Sequence, residues 1–167
     1  MHFELKKLKK SDAKSYSKQI NNPSVIRFLR DGICSPYSEH EAEQYIAYLN
    51  SVDERKEFVR GIFVDNKAIG AVALSRRDNV YEQNAEIGYW IGEEYWNRGI
   101  MTEALKLMCR YAFEMMHLNR VEAEVIFENF SSRKVLEKCG FTLEGVHRKR
   151  ICKNGIYFDS CTYALVK

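Results

Sequence analysis

Asn97, Arg98 and Gly99 stand between a strand-like run and a long helical one, inside the stretch Gly88 to Met108. A glycine at such a corner lets a ligand come close to the backbone and permits unusual dihedrals. The helix that follows starts near Ile100 to Thr102, so its first amides have no acceptors within the helix. They carry the positive end of the helix dipole, which suits phosphate, and Arg98 adds a cation. Alone, so short a glycine motif is a weak signal, and an ordinary strand-to-helix turn is the better account of it.

Other reactive residue types form no comparable cluster. The five cysteines (Cys34, Cys109, Cys139, Cys152 and Cys161) are odd in number and show no C-x-x-C spacing. They read as reduced thiols in a cytoplasmic protein. Cys139 sits in a last helical turn before Gly140, where the dipole raises a thiol pKa, and is expected in the core rather than as a nucleophile. His2, His40, His117 and His147 are scattered, so no metal is expected. No G-x-x-x-x-G-K-[ST] run occurs, which excludes a P-loop.

The elements that must position the corner fit within one domain of 167 residues. The chain is 46% hydrophobic and 29% charged, with a net charge of +3. That balance supports a real core and does not demand nucleic acid. No run reaches the ~18 apolar residues of a membrane span, and Met1 to Lys7 reads straight into a strand without a signal-peptide core.

Phe3, Leu5 and Leu8 suggest a first strand, and Ser11-Asp12 the cap of a helix to about Ile20, which Asn22-Pro23 stops. Val25 to Leu29 reads as a helical turn and Arg30 to Ser38 as a loop. Ser38 and Glu41 form a capping box for a second helix. Phe58 to Asp65 and Ala68 to Ser75 make a hairpin, and Asn84 to Gly92 a further strand. Met101 to Met116 is a long helix with Ala104, Leu105, Leu107, Met108, Tyr111, Ala112 and Met115 on one stripe. Val121 to Phe127 is a strand, Ser132 to Lys138 a helix ended by Gly140, and Phe141 to His147 with Ile156 to Val166 close the chain around an Asn154-Gly155 turn.

Three stretches, "EIGYWIGEEYWNRGIMTEAL", "ENFSSRKVLEKCGFTLEG" and "NGIYFDSCTYAL", together resemble the GNAT superfamily of acyl-CoA-dependent N-acetyltransferases, in particular its RimJ/RimL branch of ribosomal-protein N-acetyltransferases. The resemblance covers the whole chain in element order and is most specific from Glu86 to Gly145. It implies a single α/β (α+β) domain over residues 1–167. Its central sheet would be mixed and mostly antiparallel, with six to seven strands, splayed central parallel strands and about four helices. The co-substrate implied is acetyl-CoA. The acceptor implied is an amine, either a peptide N-terminus or a small molecule such as a polyamine or antibiotic. The protein would act in the cytoplasm, as a monomer or homodimer, without nucleic acid, membrane or metal.

In the family the pyrophosphate rests on a Q/R-x-x-G-x-G/A turn. Here that pattern falls on Trp96, Asn97, Arg98, Gly99, Ile100 and Met101. Gly99 matches, while Trp96 and Met101 depart from it. The resemblance thus assigns Asn97, Arg98, Gly99, Ile100, Met101 and Thr102 to the pyrophosphate. It sets Trp90, Ile91 and Gly92 against the pantetheine arm, in a gap between the strand at 84–92 and the next one. Asn129 resembles the asparagine that bonds the arm, and it equally suits a turn after a strand.

The implied reaction is direct attack of an amine on the thioester. A carboxylate with a raised pKa suits deprotonation of the arriving ammonium. Glu86 matches the position of the base in several members, on one strand face with Gly88 and Trp90. Glu93 and Glu94 read as solvated loop charges. The tyrosine that many members use as acid is replaced here by Leu136. Ser132 is the substitute that the branch resemblance suggests, although serine is also a good N-cap. Phe28, Tyr37 and Asp159 fall in the segments that bind the acceptor. A non-catalytic acyl-CoA-binding module is the rival from another class, and it has no need of Glu86.

Overall fold

The inner strands of the central sheet bury both faces under helices, so they read as near-continuous buried runs, as at residues 58–64 and 68–74. The computed structural model describes every residue except Gly32 and Cys34. Among the described residues seven strands are formed: β1 Glu4–Lys6, β2 Glu57–Val64, β3 Lys67–Arg76, β4 Asn84–Ile91, β5 Arg120–Ile126, β6 Thr142–Lys153 and β7 Ile156–Val166. Their order in the sheet is β1-β2-β3-β4-β5-β7-β6. The helices are α1 Ala13–Ile20, α2 Pro23–Ile26, α3 Glu39–Ser51, α4 Ile100–Glu114 and α5 Phe130–Lys138. Among the described residues they number five, close to the four or so expected, with the single turn of α2 included.

Every strand pair is antiparallel except β4 with β5. That parallel pair is joined over only three residues, Asn84 to Glu86 against Arg120 to Glu122, after which the strands part. β4 meanwhile stays paired with β3 as far as Ile91. The expected splay is therefore present, and it begins at Glu86.

Helices cover both faces of the sheet. α4 and α5 bury Ile100, Met101, Ala104, Leu105, Met108, Ala112 and Leu136 against one face. α1, α2 and α3 bury Tyr16, Ile20, Val25, Ala42 and Ile46 against the other. Leu107 and Met115, expected on the α4 stripe, are exposed, and Ile100, Met101 and Cys109 complete it instead. Leu107 falls about a third of a turn from the centre of the buried face, and Met115 lies past the last residue of α4.

Local chemistry places most turns where the residues demand. Ser38 and Glu41 form the expected capping box. Asp65 and Asn66 at the β2–β3 turn, and Asn154 and Gly155 at the β6–β7 turn, all have positive φ, as two-residue hairpin turns require. β6 runs on to Lys153, beyond the His147 end expected from sequence. It does so through an irregularity between His147 and Ile151, where Lys149 has a φ of 52° and donates its amide to Asp159 Oδ1 at 2.8 Å.

Candidate active site

The parallel pair sets the site, because it brings the C-terminal ends of β4 and β5 to the same edge of the sheet. β4 leads there into the turn before α4, and β5 leads into the start of α5. Both helix N-termini thus border the gap between the two strands.

The turn before α4 is built on left-handed residues. Asn97 has a φ of 59° and Gly99 a φ of 76°. A Cβ added at Gly99 would meet nothing within 4 Å, so the corner is open to solvent. Gly99 is the N-cap of α4 and brings no side chain to its first amides. Those of Ile100, Met101 and Thr102 have no acceptor one turn earlier in the helix. The side chains of Ile100 and Met101 are in the core, so these residues offer the site only their backbone. Trp96, a departure from the motif, pins the turn: its Nε1–H donates to the Ile91 carbonyl oxygen at 2.9 Å. Arg98 is exposed and lies over the Tyr95 ring. The open corner, the unpaired amides and the cation fit a pyrophosphate.

Along β4, alternation divides the side chains as expected. Ala85, Ile87 and Ile91 are buried in the α4 core. Glu86, Gly88 and Trp90 face the α1–α3 layer, where Trp90 packs its ring edge-on against Tyr16 at 4.9 Å. A Cβ on Gly88 would meet nothing within 4 Å, so open space lies between Glu86 and Trp90. Gly92 donates its amide to the Ile69 carbonyl oxygen at 2.8 Å. With the Ile91 carbonyl on Trp96, these two groups expected to face the arm are already paired within the protein.

The Glu86 side chain is 16% exposed and held by two guanidiniums. Arg30 donates to Oε1, and Arg77 donates to Oε2 at 3.1 Å. Arg77 also reaches Glu122 at 2.9 Å, and Arg120 joins Glu122 to Glu144. The carboxylate is legible in the sequence, but this chain of alternating charges, whose members come from five separate segments, is not. Glu93 and Glu94 are exposed, as expected, and are also tethered. They accept from the side-chain amides of Asn22 at 2.7 Å and Gln19 at 2.5 Å, tying the end of β4 to α1.

The opposite wall is α5. The helix begins at Phe130, and its cap is Asn129, whose Oδ1 accepts the Ser132 amide at 3.2 Å. Ser132 is therefore the third residue of the helix and not its cap, because Asn129 occupies the position first. Its half-buried hydroxyl is left to Tyr89, whose oxygen lies 2.7 Å away. From the sequence Tyr89 reads as packing, like any aromatic on a strand, and its ring does pack against the core; the hydroxyl contact has no signal there. Replacing Asn129 with alanine is expected to cost about 1 kcal/mol in urea denaturation, and Ser132→Ala clearly less, since only the first removes a cap.

Cys139 closes α5 half-buried, with its thiol donating to the Thr102 carbonyl oxygen at 3.4 Å. Burial pushes this thiol up, which disfavours a nucleophilic thiolate. Cys139→Ala is expected to keep parental turnover, with intersecting rather than parallel double-reciprocal plots.

On the side where the acceptor is expected, Lys153 of β6 donates to the carbonyl oxygens of Ile26, at 2.8 Å, and of Leu29, joining the β6–β7 hairpin to the end of α2. Burial pushes the Lys153 ammonium down. Phe28 is half-buried beneath the Arg27 guanidinium. Tyr37, expected to line the acceptor path, is instead a buried member of the α1–α3 core. Among the described residues no group of three or more ligand-type side chains forms a metal site, and no helix is long and apolar enough to cross a membrane.

Residues 2–142 match the model of the acetyltransferase (GNAT) domain. The chain belongs to the GNAT acetyltransferase family. It is 36% identical over 130 residues to the N-acetyltransferase YjcK of Bacillus subtilis, covering 77% of this chain and 72% of that one. It is 34% identical over 146 residues to YdaF of the same organism, which bears the name of a ribosomal N-acetyltransferase, covering 87% and 73%. Such relatives put this GNAT chain with the RimJ/RimL-like branch. Among solved structures, that of the microcin C7 self-immunity acetyltransferase MccE with acetyl-CoA and AMP superposes with a TM-score of 0.86 at 25% identity, over 99% of this chain and 92% of that one. Acetyl-CoA is accordingly the co-substrate of this GNAT enzyme.

Proposed function

We propose that this enzyme acetylates the α-amine of a peptide or protein N-terminus, by direct attack of the amine on the acetyl-CoA thioester. The observation that carries the mechanism is the place of Glu86. A mostly shielded carboxylate stands at the residue where β4 leaves β5, beside the open space over Gly88. The likeness to YdaF supports the acceptor class.

Amides from Arg98 to Thr102 hold the pyrophosphate, with Asn97 and Arg98 as the polar side chains of the turn. Trp90, Ile91, Gly92 and Asn129 border the arm, and Phe28 and Asp159 border the acceptor. The ammonium of the acceptor takes the place of Arg30 at Glu86. The Arg30 side chain is 72% exposed, so moving it back into water costs little, whereas Arg77 stays anchored by Glu122. Glu86 receives the proton, directly or through one water. The amine nitrogen then bonds to the carbonyl carbon while the carbon–sulfur bond breaks, and the electron pair departs on sulfur. Ser132 donates a hydrogen bond to that sulfur from the α5 wall. Alternation along β4 supports this division, because the amine arrives on the α1–α3 side and the thiolate leaves toward α5.

A panel of peptide N-termini, polyamines and aminoglycosides, assayed for release of the CoA thiol, tests the reading. Peptides are expected to be the substrates. Turnover confined to polyamines or aminoglycosides would replace the acceptor class. Binding of acetyl-CoA with no turnover on any amine would make the protein a binding module.

A further inference from the structure

We infer that Tyr89 is a positioning residue for the leaving-group step: its hydroxyl holds the Ser132 hydroxyl so that the serine proton is directed into the gap between β4 and β5. The inference rests on the reading of Ser132 given above.

Tyr89 spans the gap from one wall to the other. Its backbone is fixed in β4 opposite Val72 of β3, and its ring packs against the α4 core. Its oxygen lies 2.7 Å from Ser132 Oγ and 3.2 Å from the Ser132 carbonyl oxygen. The serine backbone is fixed independently by the Asn129 cap. α5 is in turn fastened to the end of β5 through Arg133, which donates to the Phe127 carbonyl oxygen and to the Tyr163 hydroxyl, both at 3.1 Å. Both partners of the hydroxyl pair are thus rigidly mounted.

A phenol and a serine hydroxyl each carry one proton. In one arrangement Tyr89 donates to the Ser132 carbonyl, and the serine proton is spent on the phenol oxygen. In the other Tyr89 donates to Oγ, and the serine proton is free to point elsewhere. Negative charge growing on a sulfur in the gap selects the second arrangement, since only that one turns a proton toward it. Burial pushes the Tyr89 phenol well above its ordinary value, so its proton stays on oxygen and remains available to donate. No proton leaves Tyr89 or Ser132. The thiolate accepts a hydrogen bond, dissociates, and is protonated by solvent.

A half-buried tyrosine kept only for packing predicts lost stability and nothing in the chemistry. The positioning role predicts a split between kcat and KM. Tyr89→Phe keeps the ring and is expected to lower kcat by roughly 10-fold, the worth of one hydrogen bond, with KM for acetyl-CoA unchanged. Ser132→Ala is expected to lower kcat further. The double variant should be no slower than Ser132→Ala, because Tyr89 acts through the serine.

Parental kcat in Tyr89→Phe together with a slow Ser132→Ala overturns the inference and leaves the serine reading intact. So do effects that multiply in the double variant. Parental kcat in Ser132→Ala removes the serine reading itself. If Tyr89→Phe does not fold, fluorotyrosine at position 89 keeps the shape and makes a stronger donor. It should raise kcat without moving KM, and an unchanged kcat there overturns the inference.

Discussion

Glu86→Gln is expected to slow acetyl transfer at neutral pH by roughly 10²–10⁴-fold, the usual worth of general-base catalysis. Glutamine preserves the shape and most of the packing but accepts no proton. The fold should survive, because Arg77 keeps its 2.9 Å contact with Glu122 and Arg30 is free to return to water. Acetyl-CoA should bind as before, since the turn at Gly99 lies beyond the far end of β4. The rate should partly recover as pH rises, because more of the acceptor amine then arrives without its proton. Pre-steady-state acetyl transfer measured across pH, beside calorimetry of acetyl-CoA binding, separates these effects. Full activity with an unaltered pH profile would show that the amine loses its proton elsewhere.

Gly99→Val should weaken acetyl-CoA binding by roughly 10–100-fold, from about 1–3 kcal/mol of strain and blocked approach. Gly99 has a φ of 76°, which a β-branched residue adopts only with strain. The valine side chain would also enter the open space over the first amides of α4. If the turn relaxes to escape the strain, those amides turn away from the phosphates. Gly99→Asn is the control, because asparagine tolerates left-handed backbone and should lose much less affinity. Titration calorimetry on the two folded variants decides the matter. Equal affinity in Gly99→Val and the parent would take the turn out of the pyrophosphate site.

The turn at Gly99 was legible because all its parts are local. A strand, a glycine turn and a helix stripe lie within one short stretch, and the period changes from two to 3.6 across Gly99. The face of Glu86 was legible for a similar reason, since alternation alone sets it with Gly88 and Trp90. Hairpin turns at Asp65-Asn66 and Asn154-Gly155 follow from residues that tolerate positive φ. Where local rules compete, position decides: Asn129 and Ser132 are both good caps, and Asn129 comes first.

The pairings on which the proposed chemistry turns have no local signature. Arg30 and Glu86 are 56 residues apart, and Tyr89 and Ser132 are 43 apart. The sequence determined which strand carries the carboxylate and which helix carries the serine. Only the parallel pairing of β4 with β5, broken after three residues, set them on either side of one gap. Side-chain charge and hydroxyl chemistry carry no periodicity, so their partners are chosen by strand order and by where the sheet opens. Backbone dihedral preference acts over one to four residues, so the turn around Gly99 can be read from its own residues.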